Sequence, residues 1–148
     1  MFTKRIFEKK IRKYKLKKKI KKKKKKIKKE INECLLKLCI LQESDEKYES
    51  VKYLVYNKNA DVNFNDIHGN TPLINSCLSK DLKTIKLLVS EGANLNHENI
   101  FDQTPLNLSY NDFGIFKELV SLGADINHTS RYGENSLMYA NLTNNKAF

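Results

Sequence analysis

The sequence lacks the features that mark membrane-spanning and exported proteins. None of its 148 residues lie in an apolar run of about 18 or more, so no segment is predicted to cross a bilayer. The basic opening residues are also not followed by the apolar stretch of a signal peptide. We therefore expect an intracellular protein, either cytoplasmic or nuclear.

Cysteine and glycine are scarce as well. The three cysteines, Cys34, Cys39 and Cys77, are odd in number and lack paired ligand spacing, so neither a disulfide framework nor a zinc site is predicted. The five glycines form no phosphate-binding loop, and no pair of carboxylates has the spacing of a catalytic motif. The sequence therefore predicts no catalytic residue, cofactor, metal or small-molecule substrate.

Charge is distributed very unevenly along the chain. Residues 1–30 contain 18 lysines and arginines and two glutamates, a net charge of +16. Residues 31–148 contain 10 basic and 15 acidic side chains, a net charge of −5. The overall charge of +11 therefore describes a basic segment attached to a mildly acidic body, and it does not make the whole chain a nucleic-acid-binding domain.

The basic segment is predicted to be a Lys-rich extension, either disordered or folded as a basic helix. On a helix, Leu16, Ile20, Ile27 and Ile31 lie within about 60° of one another, with Leu38 in the same arc. Lysines one turn apart repel each other, so we expect this helix to order only when a polyanion neutralises it.

The candidate partners of this extension are nucleic acid, anionic lipid and a nuclear import receptor. The candidate polyanion-binding residues are Lys17, Lys18, Lys19, Lys21, Lys22, Lys23, Lys24, Lys25, Lys26, Lys28 and Lys29. A compositional origin is the alternative, because lysine codons are rich in adenine and a biased genome produces such segments without selection.

A sequence repeat organises the rest of the chain. The segment "NTPL" at 70–73 recurs as "QTPL" at 103–106, which places Thr71 and Thr104 33 residues apart. Each copy is followed by an apolar stretch that ends in Gly-Ala, at Gly92 and Gly123. An earlier copy has Asn59 at this position, and asparagine also tolerates the left-handed conformation that ends a helix.

Each repeat predicts a pair of helices. In the first complete copy, Thr71 is placed to cap a short helix and Pro72 fits the first turn of that helix. A second helix follows and ends at Gly92. The side chains predicted to face the core are Leu73, Ser76, Cys77, Ile85, Leu88 and Val89.

These features resemble the ankyrin repeat, which begins with T-P-L-H-x-A and ends with G-A-D-V-N. The resemblance covers residues 31–148 and implies an all-α solenoid of antiparallel helix pairs joined by hairpin-like loops. The predicted units are an N-terminal capping repeat at about 31–65 with a lengthened loop around Ser44 to Tyr48, a repeat at 66–98, a shortened repeat at 99–129, and a partial repeat at 130–148. The partial last unit leaves open that the chain is a fragment of a longer array.

The resemblance also implies a non-enzymatic protein-binding module, which we expect to be a monomer. Ankyrin-repeat proteins contact their partners through the loop tips and the first helices on the concave side. The corresponding tip residues are Ile67, His68, Asn70, Ile100, Phe101, Gln103, Arg131, Tyr132 and Glu134. Two interpretations remain open: the apolar tips form an interface, or they stack on each other and stiffen the row of loops.

The histidines are predicted to lie in these loops. His97 and His128 occupy equivalent repeat positions, so their side chains should be roughly 10 Å apart, too far to share a metal ion. We expect them to be solvated loop residues.

Overall fold

The computed structural model describes residues 2–131 together with residues 133, 135 and 138. Its helices are α1 (Phe2–Cys39), α2 (Asp45–Lys58), α3 (Pro72–Leu78), α4 (Leu82–Ser90), α5 (Pro105–Leu108) and α6 (Phe113–Ser121). They pack as three successive pairs, α1 with α2, α3 with α4, and α5 with α6. Among the described residues, β structure is limited to one isolated bridge between Thr129 and Asn135. The predicted all-α fold of helix pairs is confirmed.

The first helices of the second and third pairs begin as predicted. The Thr71 hydroxyl accepts a hydrogen bond from the Ile74 N–H at 3.3 Å, and Pro72 occupies the first turn of α3. The Thr104 hydroxyl accepts one from the Asn107 N–H at 3.2 Å at the start of α5. Each threonine thus satisfies a backbone donor that the helix itself leaves unpaired.

The second helices end in the predicted left-handed conformation. Asn59 has a φ of 51°, Gly92 of 87° and Gly123 of 102°. Asparagine therefore takes the role of glycine at the end of α2, as the sequence indicated.

The loop of the first pair is not where the sequence placed it. The lengthened loop expected around Ser44 to Tyr48 is wrong, because α2 already begins at Asp45. The Ser44 hydroxyl caps the helix by accepting a hydrogen bond from the Lys47 N–H at 3.1 Å. Asp45 and Glu46 then lie in the first turn, where the helix dipole favours negative charge. The connection is residues 40–44.

The third unit is shorter than the second because its first helix is shorter. Helix α5 has four residues where α3 has seven, whereas α4 and α6 both have nine. The second helix is therefore kept at full length, and the third pair still buries Leu106, Ile115 and Leu119.

One hydrophobic core runs through all three pairs. Its fully buried members include Leu35, Val51, Leu73, Ile85, Leu88 and Leu119. Of the residues predicted to face this core, Cys77 is buried and Val89 is partly buried. Because the core is continuous, each pair is stabilised by its neighbours, as expected for stacked repeats.

Asparagine side chains connect the loops of successive units. Asn63 accepts a hydrogen bond from the Asn94 N–H at 2.8 Å, and Asn96 accepts one from the Asp125 N–H at 2.8 Å. Within the first unit, the Asn32 side-chain oxygen accepts a hydrogen bond from the Asp61 N–H at 2.9 Å. The bonds between units fix the spacing of successive loops, so the loops follow one another at regular intervals.

A buried ion pair joins the first helix pair to the second. The Lys47 Nζ lies 2.9 Å from the Asp81 carboxylate, and both side chains are buried. Lys47 also donates to the Leu41 carbonyl at 2.5 Å, while Asp81 caps α4 by accepting from the Thr84 N–H at 2.9 Å. Both charges are therefore surrounded by hydrogen-bond partners, which a buried pair requires.

Candidate functional site

The first loop tip is built around the carboxylate of Asp66. Its Oδ1 accepts hydrogen bonds from the His68 N–H at 2.8 Å and the Asn70 N–H at 2.9 Å. The backbone closes the turn, with the Gly69 N–H donating to the Asp66 carbonyl at 3.0 Å. This local network holds Ile67 and His68 at the apex of the tip.

The second tip repeats this arrangement with an asparagine. The Asn99 Oδ1 accepts from the Phe101 N–H at 2.9 Å and the Gln103 N–H at 3.0 Å. The Asp102 N–H donates to the Asn99 carbonyl at 3.0 Å. Asp102 has a φ of 58° at the position equivalent to Gly69. Ile100 and Phe101 therefore occupy the places of Ile67 and His68.

The two tips are bonded to each other. The Ile100 N–H donates to the His68 carbonyl at 3.0 Å, and the Asn99 Nδ2 donates to the Asn70 Oδ1 at 3.0 Å. The rings of His68 and Phe101 stack with centroids 6.3 Å apart and planes 24° from parallel. The tips thus form a single rigid row rather than independent loops.

The predicted tip residues divide into exposed and structural groups. Ile67, Ile100 and Phe101 have exposed fractions of 88%, 55% and 60%. Asn70 and Gln103 are partly buried, because both bond to the Asn99 side chain. The Arg131 guanidinium pairs with the Asp102 carboxylate and donates a hydrogen bond to it at 2.8 Å. Tyr132 and Glu134 lie outside the described residues.

A shallow groove beside the first tip was not predicted from the sequence. It has a volume of about 290 Å³ and is lined by Glu33, Leu36, Lys37, Ile40, Asp66 and Asn75. Glu33, Leu36 and Lys37 belong to α1, Ile40 follows the end of α1, and Asn75 belongs to α3, so the groove lies between the first helices of neighbouring pairs. Asn75 helps to shape it, because its Nδ2 donates to the Leu36 carbonyl at 3.1 Å. No sequence motif marks the groove, since its residues come from three separate segments.

Repeated tips, capped first helices and left-handed helix ends agree with one family. The family model for ankyrin repeats, in three copies, matches residues 36–130. The chain belongs to the ankyrin-repeat family. No curated protein matches it. Ankyrin repeats are generally protein–protein interaction modules.

The Lys-rich helix lies mostly outside these ankyrin repeats. Helix α1 has 38 residues, and residues 5–30 of it are all exposed. All the candidate polyanion-binding lysines, from Lys17 to Lys29, are in this exposed part. Seven of them line an open groove of about 870 Å³ together with Asn32 and Phe64. Glu30 and Glu33 form ion pairs with Lys26 and Lys29 on the surface of the helix.

The loop histidines of the ankyrin repeats bond across to the preceding loop. The His97 Nε2 lies 2.9 Å from the Gly69 carbonyl oxygen, and the His128 Nε2 lies 2.5 Å from the Glu98 carboxylate. Both side chains are partly buried, so the expectation of solvated histidines is wrong for His97 and His128, whereas His68 is exposed. They reinforce the row of loops. In the described part of the chain, no three His, Cys, Asp or Glu side chains group as metal ligands would.

The buried cysteines are unsuited to nucleophilic chemistry. Burial raises the pKa of the Cys39 thiol to about 11, and burial also raises the pKa of Cys77. Both thiols are therefore protonated at neutral pH and fill space in the core of the repeats.

Among the described helices, none is both long and apolar enough to cross a membrane.

Proposed function

We propose that this chain is a non-enzymatic scaffold that binds a protein partner through its row of loop tips and the adjoining concave helix face. The observation that carries the proposal is the exposure of Ile67, Ile100 and Phe101 on loops that are held rigid by internal hydrogen bonds. Apolar side chains on a rigid surface favour binding, because little conformational entropy is lost when the partner docks.

The groove between α1 and α3 extends this surface. It adjoins the first tip through Asp66 and contributes the exposed side chain of Ile40. The charged groups Glu33 and Lys37 also line it. A mixture of apolar and polar side chains is the usual composition of a protein interface.

The stacking of His68 on Phe101 supports both interpretations of the tips, as an interface and as side chains that stiffen the row of loops. The stack stiffens the row, yet Phe101 keeps more than half of its surface exposed. One face of the ring is therefore structural and the remainder is free to contact a partner. We infer that Phe101 is an anchor residue of the interface.

The experiment is a paired measurement on a double variant, Ile67→Ala with Phe101→Ala. Affinity for a partner purified from native cells should fall by about 2 kcal/mol or more, whereas the melting midpoint should change little. Phe113→Ala is the matched control, because this exposed aromatic lies at the start of α6, away from the tips. Normal binding by the double variant, or an equal loss in the control, would contradict the proposal.

Binding of a polyanion by the Lys-rich helix is the second candidate function. The observation that favours it is the groove lined by seven lysines, Asn32 and the ring of Phe64. Lysines supply charge without reading base sequence, so nucleic acid and anionic lipid are both possible ligands. Binding of RNA and of anionic vesicles should fall steeply with salt and disappear when residues 1–30 are removed. A shallow salt dependence that survives truncation would rule this function out.

A further inference from the structure

One face of α1 carries an apolar row that is only partly covered. Ile31 and Leu38 are partly buried and pack against the core. At 100° per residue, Leu16, Ile20 and Ile27 continue the same row toward the helix start. Their exposed fractions are 58%, 47% and 45%. We call these three residues the open row.

Helix α2 covers the other end of this row. Cys34 and Leu38 of α1 line one open groove together with Tyr53 and Leu54 of α2, so α2 packs on the side of α1 that carries the row. α2 ends at Lys58, and the Lys28 Nζ donates a hydrogen bond to the Asn59 carbonyl just beyond that end. The open row therefore begins where the covering helix stops.

We propose that the open row is the docking surface for an acidic amphipathic helix of a partner protein, which would continue the path of α2 along α1. The flanking charges select an acidic helix. Lys17 and Lys24 project to one side of the row and Lys19 and Lys23 to the other, by the same helical geometry. Acidic residues beside the partner's own apolar positions would pair with these lysines, as flanking charges do in helix pairs.

Charge and shape disfavour the other occupants. A second copy of this chain would bring lysines against lysines. Because α2 packs on this side of α1 and ends at Lys58, a flat bilayer lying along the open row would also have to accommodate the end of α2. A nucleic acid would bind the lysines through its phosphates, and three aligned aliphatic side chains would add nothing to that binding. A helix is narrow enough to lie along the row beyond α2.

The test uses the full chain and a designed peptide. The labelled probe is a helix of about 21 residues, roughly three heptads, with leucine on one face and mainly glutamate elsewhere. A peptide of the same composition in scrambled order is its control. Fluorescence anisotropy should show binding of the patterned peptide at least about tenfold tighter than of the scrambled one.

A pair of variants locates the binding surface. Ile20→Gln with Ile27→Gln should weaken binding of the patterned peptide at least about tenfold, because both side chains lose their apolar contact. Ile11→Gln with Tyr14→Gln is the matched control, since these exposed residues lie on a different face of α1. Glutamine is a good helix former, and far-ultraviolet circular dichroism verifies that α1 keeps its helicity.

Three outcomes would overturn the proposal. Equal binding of both peptides would show that the helix attracts any polyanion. Binding of phosphatidylserine vesicles that depends on Ile20 and Ile27, without peptide binding, would identify a membrane surface. RNA binding that is tight, with no peptide binding, would identify a nucleic-acid site. None of these outcomes bears on the loop tips, which the variants of Ile67 and Phe101 test separately.

Discussion

At the scale of single residues, two glycines are required for different reasons. Gly92 has a φ of 87°, but a Cβ built there meets nothing within 4 Å. Gly69 has a φ of 75°, and its Cβ would lie 3.1 Å from the Cα of Asn99 in the next tip. Gly92 is therefore required only for its backbone conformation, whereas Gly69 is also required for the close contact between the two loops.

Substitutions at these two positions should separate the two requirements. Gly92→Val should lower the free energy of unfolding by about 1–2 kcal/mol, and Gly92→Asn should have little effect, since asparagine tolerates positive φ. Gly69→Asn should destabilise more than Gly92→Asn, because the added side chain meets the backbone of Asn99. Urea denaturation measures all three, and equal losses for Gly92→Val and Gly92→Asn would contradict the capping role.

Disruption of the buried pair of Lys47 and Asp81 should strongly destabilise the fold. Lys47→Met removes one charge and leaves the Asp81 carboxylate buried without its cation. Loss of one partner of such a pair typically destabilises a protein by about 3–5 kcal/mol. The double variant Lys47→Met with Asp81→Leu should recover part of the loss in chemical denaturation. A single variant as stable as the wild type would show that water reaches the pair.

The same pair makes stability depend on pH. Burial by itself would raise the pKa of Asp81, but hydrogen bonds from Thr84 and Lys47 and the Lys47 charge outweigh burial and hold the pKa below its usual value. Since the folded pKa is the lower one, this stabilisation is present above the unfolded pKa of about 3.9 and is lost as pH falls through the folded pKa. Asp81→Asn should therefore make the free energy of unfolding fall less steeply as the pH is lowered, which urea denaturation at several pH values measures.

At the scale of elements, α1 combines two parts with different roles. Its last residues supply Leu35 and Cys39 to the core, whereas residues 5–30 are exposed. The sequence indicated a basic helix or a disordered segment, and the structure has one helix throughout Phe2–Cys39. The apolar row was visible in the sequence, but its covering by α2 depends on where α2 ends.

Removal of residues 1–24 should leave the helix pairs nearly as stable as before. Few core contacts are lost, because the truncation ends before Lys28 and Ile31. The far-ultraviolet helix signal should fall while the melting midpoint stays within a few degrees. A large drop in the midpoint would mean that the extension stabilises the repeats.

At the scale of the whole molecule, stacked repeats make stability local. Each helix pair contacts its neighbours in order, so damage to the third pair should reach the first pair only through the second. Leu119→Ala deletes a fully buried side chain of α6 and should destabilise by about 2–5 kcal/mol. Hydrogen exchange should accelerate most in α5 and α6 and least in α2. Uniform acceleration would show that the three pairs unfold as one unit.

The sequence by itself determined the repeat, the helix caps and the helix ends. These depend on local chemistry: Thr71 and Thr104 cap helices because of their own hydroxyls, and Asn59 ends a helix because its backbone tolerates positive φ. Local chemistry also marked the positions of the tips. Local chemistry did not predict the start of α2, because Ser44 caps this helix and does not begin a lengthened loop.

Only the tertiary structure decided what the tips and α1 present to a partner. Asn70 and Gln103 join through Asn99, and His68 stacks on Phe101, because one repeat is laid against the next. The groove beside Asp66 and the uncovered part of the apolar row likewise arise from residues far apart in sequence. Burial depends on the distances between such residues, and a repeat pattern specifies the period of the chain without specifying which side chains of neighbouring units meet.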